Sequence, residues 1–591
     1  MRKEQSKRAV AAFQDFLNTP LDLRLNQYQN DSPQAAVLSL FRDVAAQVPA
    51  YRAFLNERNI DPASIQTFED FQTLPLITKE NYLQRHPLAD LCRGGQLETC
   101  DMIAVSSGST GKPTFWPRFF ADELQIATRF EQIFHESFSA DNRRTLAVIC
   151  FTLGTWVGGI YTTNCCRYLA SKGYSITVIA PGNNKEEIFR VVQELGTAFE
   201  QVVLLGYPPF IKDVIDTGKA RGVEWQKYNI KMVFAGEVFS EEWRSLVGER
   251  VGSIHPCYDS ASLYGTADAG VLGNETPLSI CIRRFLAENP DASRALFGES
   301  RLPTLVQYDP LSRFFEVKDG TLLFSGDNGI PLIRYHISDT GGIISYEEML
   351  KFLSELGFDP VAELSLVGQT SSLPVEGGQD AHPTREEDAH PTREEDAHPT
   401  REEDAHPTRE EDAHPTREED AHPTRQEDAH PTREEDAHPT RQEDAHPTRQ
   451  EDAHPTRDIR GIHQLPFAYV FGRSNFTVSY FGANIYPENV TVGLEQPAIK
   501  EWVTGKFVLQ VKENADKNRF LSVVVELAPG VEESEEKTEA IASSILSQLR
   551  RLNSEFANYV PPEYQTPQIT LTPTGDPEYF PIGVKHRYTR K

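Results

Sequence analysis

The chain has 591 residues and a formal net charge of −28 at pH 7, and much of that charge lies in one tract. From Asp380 to Arg457, ten copies of Asp-Ala-His-Pro-Thr-Arg recur at a period of eight, and their 25 acids and ten arginines account for −15 of the −28. Neither the tract nor the remainder has the basic excess of a nucleic-acid-binding protein, so we exclude nucleic acid as a partner. The sequence contains no run of 18 or more apolar residues, so no membrane-spanning helix is predicted.

The seven cysteines are sparse and odd in number, which does not suggest a disulfide framework in so long a chain. The adjacent Cys165-Cys166 pair lacks metal-ligand spacing, and core packing is the expected role. The basic start is followed by Ala9–Leu17, which predicts an amphipathic helix rather than the apolar segment of a signal peptide. We therefore expect a protein of the reducing cytoplasm. Homodimerisation and the partner of the repeat are left open by the sequence.

The first 100 residues predict helices, which we assign to the entry region of a large N-terminal domain. One begins at Ser32-Pro33, a cap followed by a first-turn proline. From 101 to 371, short β-branched runs alternate with helical stretches. These runs are Thr145–Phe151, Ser175–Ile179, Gln201–Leu205 and Lys231–Glu237. Apolar strands that alternate with helices predict an α/β core with a mostly parallel sheet covered by helices on both faces.

The repeat falls inside residues 372–457, which we expect to be a disordered linker. Thr384 and Glu387 could form a capping box, but Pro391 stops each helical turn within eight residues. The repeat has no apolar stripe on which neighbouring copies could stack, so a solenoid is not expected. The histidines and nearby carboxylates leave a metal-binding tract as the alternative.

After the repeat, residues 458–471 are predicted to complete the core, and 472–591 to form a small mobile α+β domain. Phe507–Val511 and Leu521–Glu526 predict two strands, Glu535–Leu552 a helix and Gln568–Leu571 a third strand. About 120 residues is within the usual size of a domain.

The strongest local signal for chemistry is Ser106-Ser107-Gly108-Ser109-Thr110-Gly111-Lys112-Pro113, which follows the apolar Met102–Val105 and so leaves a predicted strand. Its glycines let the backbone wrap an anion, its hydroxyl and N–H groups can donate to phosphate oxygens, and Lys112 adds positive charge. A Walker loop would have four residues between its first glycine and Gly-Lys. The segment therefore indicates a different nucleotide loop, with a Ser/Gly surface turn as the alternative.

Three later segments support a nucleotide site. Tyr264-Gly265-Thr266-Ala267-Asp268 places a glycine turn beside a hydroxyl and a carboxylate, which suits a nucleotide and its Mg²⁺. Pro331–Asp339 predicts a strand that ends in an acid able to accept from ribose hydroxyls. Gly472-Arg473-Ser474-Asn475, followed by Gly482–Pro487, indicates a domain junction. Each could alone be an ordinary turn, strand end or linker.

In this order, the segments resemble the motifs of the adenylate-forming superfamily, in particular of its phenylacetate–coenzyme A ligase branch. The first loop matches S-S-G-[ST]-T-G-K-P, and Tyr264–Asp268 resembles Y-G-x-[TS]-E with Asp268 in place of Glu. Pro331–Asp339 is similar to P-L-I-R-Y-R-T-G-D, although His336-Ile337-Ser338 departs from it. Gly472–Pro487 is in register with G-R-S-D-D-M-x-x-x-R-G-x-N-x-F-P.

The resemblance covers nearly the whole chain outside the repeat, since Val48–Arg52 and Leu74–Lys79 are similar to the entry helices of that branch. It implies a two-step ligase that uses ATP and Mg²⁺. A carboxylic acid, the small-molecule partner, would first give an acyl-adenylate and pyrophosphate. The small domain would then rotate about its hinge, and a thiol, usually coenzyme A, would displace AMP.

The resemblance also assigns roles by position. Ser106–Lys112 would bind the β- and γ-phosphates, and Tyr264 and Gly265 would contact the nucleotide. Thr266 and Asp268 would contact the α-phosphate and Mg²⁺. Asp339 would bind the ribose, and Arg473 would contact the nucleotide from the hinge.

The catalytic lysine of the family lies near the C-terminus in a G-K-x-x-R-like loop. Pro581-Ile582-Gly583-Val584-Lys585-His586-Arg587 is the close match here, with one extra residue between glycine and lysine. Lys585 is therefore the candidate and Lys591 the substitute, with an ordinary basic tail as the alternative.

Departures at the hinge bear on the second step. Asn475 and Phe476 replace two acids, and Phe481 replaces the arginine of R-G-x-N. Adenylation is expected to survive these changes, while an amine or a carrier-protein thiol remains an alternative acceptor. Gly154–Gly159 and Tyr207–Phe210 could line an acid pocket or could be aromatic core. A non-catalytic nucleotide-binding or scaffold descendant is the second hypothesis.

Overall fold

The computed structural model describes residues 2–106, 114–298, 302–370, 461–473, 477–580 and 588–590. The repeat lies outside these residues, as do Ser107–Pro113, Asn475 and Phe476, Lys585 and Lys591. The expectations of a disordered linker and of a metal-binding tract therefore stay predictions. Among the described helices, none is both long and apolar enough to cross a membrane.

The α-helices are numbered in chain order. They are α1 (Arg2–Asn18), α2 (Leu21–Asn30), α3 (Pro33–Gln47), α4 (Pro49–Asn56), α5 (Phe68–Gln72), α6 (Phe120–Gln132), α7 (Val157–Lys172), α8 (Lys185–Leu195), α9 (Pro208–Ala220), α10 (Glu241–Val251), α11 (Pro256–Asp259), α12 (Pro277–Glu288), α13 (Pro290–Phe297), α14 (Tyr346–Glu355), α15 (Pro360–Thr370), α16 (Pro487–Leu494), α17 (Glu535–Leu552) and α18 (Ser554–Tyr559).

The strands are numbered in the same way. They are β1 (Met102–Ser106), β2 (Thr114–Arg118), β3 (Thr145–Ile149), β4 (Ile176–Ile179), β5 (Gln201–Gly206), β6 (Ile230–Ala235), β7 (Ser260–Thr266), β8 (Gly270–Asn274), β9 (Thr304–Gln307), β10 (Arg313–Lys318), β11 (Thr321–Gly326), β12 (Leu332–Ile344), β13 (Phe467–Arg473), β14 (Val478–Tyr480), β15 (Ala483–Ile485), β16 (Val503–Glu513), β17 (Arg519–Leu527) and β18 (Gln568–Thr572).

Local sequence explains where several elements begin. Ser32 accepts a hydrogen bond from the backbone N–H of Ala35, and Pro33 occupies the first turn of α3, as the sequence predicted. The strands β3 and β5 are buried along their whole length. Such strands need cover on both faces, and α7 packs against β3 while α9 packs against β5.

Within the described residues, eleven strands form one large sheet in the order β10-β11-β12-β13-β9-β8-β7-β6-β5-β3-β4. From β4 to β7 all pairings are parallel, and these strands include the four predicted runs. From β7 to β10 the pairings are antiparallel. Six of the ten pairings described in this sheet are thus antiparallel, and the expectation of a mostly parallel sheet was wrong. Short connections such as Lys318 to Thr321 reverse the chain, whereas parallel neighbours need a crossover helix.

The described residues on both sides of the repeat belong to one compact unit. After β13 the chain forms the short hairpin β14–β15 and then a separate sheet of β16, β17 and β18. This sheet and α17 agree with the predicted strands and helix, and α17 has the predicted bounds. Val508 and Val524 are paired across it, and both are buried. The domain boundary near residue 472 and the mobility of this part stay predictions.

Candidate active site

A cavity of about 540 Å³ lies where the ends of β6 and β7 and the middle of β12 approach the hairpin β14–β15. The strand β12 continues past Asp339 to Ile344, so the prediction that it ends at this acid was wrong. The wall of the cavity contains Ser106, the turn Tyr264–Asp268, Asp339 and Gly472. Each comes from a different predicted motif, and Asp339 is more than 200 residues from Ser106 in sequence. The structure therefore brings the described members of all four motifs to one cavity.

Asp339 is buried in the wall of this cavity and is held by a tyrosine of β7. The Tyr264 hydroxyl donates to Asp339 Oδ2 at 2.6 Å, and the Asp339 side chain is buried. Asp339 also pairs with Arg473 in the β12–β13 register, so the backbone of Arg473 lies beside it. The side chain of Arg473 falls outside the described residues. The hydrogen bond from Tyr264 orients the Asp339 carboxylate. An oriented carboxylate is what acceptance of hydrogen bonds from ribose hydroxyls would require.

Asp268 accepts a hydrogen bond from the Tyr335 hydroxyl and forms an ion pair with Lys79, whose Nζ is 3.5 Å from Asp268 Oδ2. The guanidinium of Arg118 donates to the carbonyls of Ala267 and Asp268 and so fixes the turn. The sequence motifs assigned no site role to Lys79 or Tyr335. The pattern around Lys79 signalled only an entry helix, because its partner lies 189 residues away.

One carboxylate is sufficient for the Mg²⁺ site that the sequence predicts. No cluster of three or more His, Cys, Asp or Glu side chains that could hold a metal occurs in the part of the chain that the structure describes. Mg²⁺ commonly binds through one or two carboxylates, waters and the phosphates of a substrate. Asp268, buried in the cavity wall beside Thr266, fits that mode of binding.

Only the ends of the phosphate loop are described. Ser106 and Thr114 are partners in the antiparallel pair β1–β2, so the loop between them begins and ends at the same place. The indole Nε1 of Trp116 donates to Ser106 Oγ at 2.8 Å, and Lys79 Nζ lies 5.7 Å from the centre of the Trp116 ring. The entry region therefore contributes a cation beside Trp116 and Asp268.

The hairpin β14–β15 closes the cavity from the opposite side. The backbone N–H of Gly482 donates to Glu237, and Arg519 of β17 forms an ion pair with the same carboxylate. Burial raises the pKa of Glu237, although Arg519 and the Gly482 N–H oppose that shift. Ser479 Oγ donates to the carbonyl of Gly236 at 3.2 Å. Residues after the predicted hinge thus contact the end of β6 directly.

An aromatic wall lines another side of the cavity and includes Phe130, Phe151, Tyr161 and Tyr207. Tyr207 contacts Phe151 edge-on at 5.0 Å between ring centres. Of the segments proposed as an acid pocket, Val157, Gly158 and Tyr207 do line the cavity. By contrast, Phe210 belongs to the apolar core. Tyr207 therefore matches the alternative of a pocket wall, and Phe210 matches the alternative of core packing.

No known family model matches the chain. Among characterised proteins, it is 22% identical over 349 residues to a phenylacetate–coenzyme A ligase of Thermus thermophilus, covering 58% of this chain and 71% of that one. Among solved structures, 2-hydroxyisobutyryl-CoA ligase in complex with 2-HIB-AMP and CoA, in its thioesterification state, aligns with a TM-score of 0.55 at 13% identity, over 94% of this chain and 89% of that one. The chain has the adenylate-forming fold.

The resemblance to the adenylate-forming superfamily is therefore confirmed. A weaker likeness, with a TM-score of 0.40 and 11% identity, is to the amide bond synthetase McbA from Marinactinospora thermotolerans, over 83% of this chain and 69% of that one.

One departure from the adenylate-forming motifs has a structural consequence. Phe481 replaces an arginine, adopts a positive φ of 52° and is 1% exposed. Its ring packs against Tyr480 and Tyr564, with centroid distances of 4.9 and 5.0 Å. From 477 to 486 the described hairpin contains no cationic residue. This hairpin therefore offers no positive charge to an acceptor.

Proposed function

We propose that this protein activates a carboxylic acid with ATP, releasing pyrophosphate, and then transfers the acyl group from the adenylate to a thiol, with coenzyme A as the favoured acceptor. The observation that supports the proposal most is the meeting of Ser106, Thr266, Asp268 and Asp339 in one cavity. One relative in sequence and one solved structure of the same fold are CoA ligases by name. The proposed enzyme class is an AMP-forming acid–thiol ligase.

The proposed roles follow from charge and position. Ser106–Lys112 would hold the β- and γ-phosphates, and Thr266 would contact the α-phosphate. Asp268 would hold Mg²⁺, which, when bound, would neutralise charge on the phosphate oxygens. Tyr264 would orient Asp339 toward the ribose hydroxyls, consistent with its 2.6 Å hydrogen bond to that carboxylate. Gly265 allows the close approach of the Gly270 carbonyl, which an added Cβ would meet at 2.4 Å, and its backbone would contact the nucleotide. Arg473 would reach the nucleotide from the hinge.

Lys79 has a further proposed role in the first step. Its ammonium is 3.5 Å from Asp268, so it balances the charge of that carboxylate before the metal–nucleotide complex arrives.

Lys585 would stabilise the charge that develops as the α-phosphate is attacked, and such an interaction lowers the barrier without adding to ground-state binding.

A panel of carboxylic acids, assayed for ATP-dependent pyrophosphate release, tests the proposal. At least one acid should stimulate release, and Lys585→Ala should slow it by about 10²–10³-fold, as expected for the loss of one preorganised donor. Lys591→Ala is the matched control and should stay near the parent rate. A panel on which no acid stimulates release would refute adenylation and favour the scaffold hypothesis.

The replacement of an arginine by Phe481 is a reason to test a second class of acceptor. Because the hairpin from 477 to 486 has no cation, a phosphate-bearing acceptor has no ionic partner on it. After an active acid is found, coenzyme A, a phosphopantetheinyl carrier and simple amines should be compared as acceptors in parallel. A preference for amines would replace thiol transfer with amide formation and leave the first step unchanged.

A further inference from the structure

Glu555 is a buried carboxylate in the cavity wall that the predicted motifs do not include. It is in the first turn of α18 and is 5% exposed. Its Oε2 accepts from the backbone N–H of Asn484 at 3.0 Å and from Asn484 Nδ2 at 3.3 Å. Asn484 belongs to β15 and also lines the cavity. Two donors from the hairpin thus hold a carboxylate at the site in a fixed orientation.

The surroundings of Glu555 place it on the aromatic side of the cavity. The rings of Tyr207 and Tyr559 stack with centres 5.3 Å apart, and both line the cavity. Burial raises the pKa of each tyrosine, and the charge of Glu555 adds to both shifts. Glu555 and the two tyrosines line the same cavity, and we expect the acyl group on its aromatic side.

Several other carboxylates of the cavity have cationic neighbours. Arg519 contacts both Glu237 and Glu513, with 3.3 Å from its Nε to Glu513 Oε1. Asp268, at the nucleotide end, pairs with Lys79. A neighbouring cation opposes protonation of a carboxylate, although burial still leaves the pKa of Glu237 raised. Glu555 accepts two hydrogen bonds from the neutral amide groups of Asn484.

We propose that Glu555 is the general base of the second half-reaction and takes the proton of the acceptor. A lone pair of the acceptor sulfur or nitrogen forms the bond to the acyl carbon. The bond from that carbon to the AMP oxygen breaks, and its electron pair leaves with AMP. The acceptor proton passes to the Glu555 carboxylate and then to solvent. This inference rests on the proposed acyl transfer.

The position of Glu555 in the chain is consistent with a role in the second step. Glu555 and Asn484 both follow the predicted hinge at Gly472, as does Lys585. Rotation about that hinge would carry all three together. A movement that carries Lys585 away from the phosphates after the first step would also change the position of Glu555 relative to the acyl group.

Single-turnover kinetics on the full chain separate the two steps. The first assay follows pyrophosphate release, and the second follows AMP release from chemically supplied phenylacetyl-adenylate, or the adenylate of the most active panel acid, with coenzyme A. Glu555→Gln keeps an oxygen that can accept from Asn484. It should slow transfer by about 10²-fold, the lower range for loss of a general base, and leave pyrophosphate release within about threefold. Glu563→Gln is the matched control, since Glu563 pairs with Lys185 at 2.6 Å but is not in the cavity wall.

Two further readouts distinguish a base from a structural carboxylate. The acid limb of the parent pH–rate profile for transfer should be lost in Glu555→Gln but kept in Glu563→Gln. Glu237, which follows β6 and contributes to the raised pKa of Tyr207, is another titratable carboxylate of the cavity wall, and Glu237→Gln should retain the limb. The defect should also shrink as the acceptor thiol becomes more acidic, from N-acetylcysteamine to thiophenol, because an acidic thiol needs less help to lose its proton.

The outcomes separate the two proposals. Unchanged transfer in Glu555→Gln overturns the role as base, and so does an equal loss in both steps with a lowered melting temperature. A parent enzyme that forms no adenylate from any acid, yet transfers from supplied adenylate with the expected Glu555→Gln defect, refutes adenylation alone. A parent enzyme inactive in both assays refutes both.

Discussion

Replacement of Gly482 by alanine tests whether the hairpin β14–β15 must be docked on Tyr207 for acyl transfer. Gly482 has a φ of +82°, and an added Cβ would come within 2.2 Å of Cε1 and 2.4 Å of Cδ1 of Tyr207. The ring cannot easily move away, because Phe151 and Tyr559 pack against it at 5.0 and 5.3 Å. Gly236 approaches the same ring from β6, where an added Cβ would lie 2.9 Å from it.

Two costs are expected, and they differ in where they act. A non-glycine residue in the left-handed region costs about 1–2 kcal/mol in every conformer of the hairpin. Overpacking against the ring costs about 1–3 kcal/mol, but only while the hairpin is docked. The second cost shifts the equilibrium away from the docked conformer by about 5- to 150-fold. Transfer should therefore slow by that factor, while adenylation should change little.

The assay compares pyrophosphate release with AMP release from supplied acyl-adenylate, and a thermal melt measures stability. Gly530→Ala is the matched control, since Gly530 has a φ of +80° and a methyl group added there would meet nothing within 4 Å. It should lower stability as Gly482→Ala does and leave transfer unchanged. Tyr207→Leu should reduce the added cost of Gly482→Ala in a double-mutant cycle, because the clash requires the ring.

Two results would refute this reasoning. Transfer at the parent rate in Gly482→Ala would mean that the docked hairpin is not needed. An equal loss of transfer in Gly530→Ala would assign the effect to backbone strain alone.

Three further predictions concern separate parts of the chain. Tyr264→Phe removes the 2.6 Å hydrogen bond to Asp339 and should raise the KM for ATP by about tenfold or more, with less effect on kcat; an unchanged KM would contradict the proposed ribose site. Burial lowers the pKa of His463, but the hydrogen bond and charge of Glu136 outweigh it and raise the pKa above 6.5. The stabilisation by this pair should therefore be full below pH 6.5 and lost as pH rises through the raised value. The difference in unfolding free energy between the parent and His463→Gln should accordingly shrink with pH, and a constant difference would be evidence against the pair. Deletion of Asp380–Arg457 should leave adenylation within a few-fold of the parent, because loop-closure cost changes only logarithmically with length; loss of the folded protein would show that the tract is structural.

The sequence by itself determined the local elements and the identity of the chemical groups. The helix Glu535–Leu552 has the same bounds in the structure as in the prediction, because its apolar periodicity and capping are properties of neighbouring residues. The parallel strands were recognised for the same reason. The motif resemblance also selected Ser106, Thr266, Asp268 and Asp339 in advance, and these lie in one cavity.

The tertiary structure decided the strand order of the antiparallel half and the partners of the site residues. Lys79 reaches Asp268 across 189 positions, and Arg519 reaches Glu237 across 282. Asn484 and Glu555 are likewise 71 residues apart. A local pattern cannot specify such pairs, because each depends on which strands become neighbours, and that depends on the packing of the whole core.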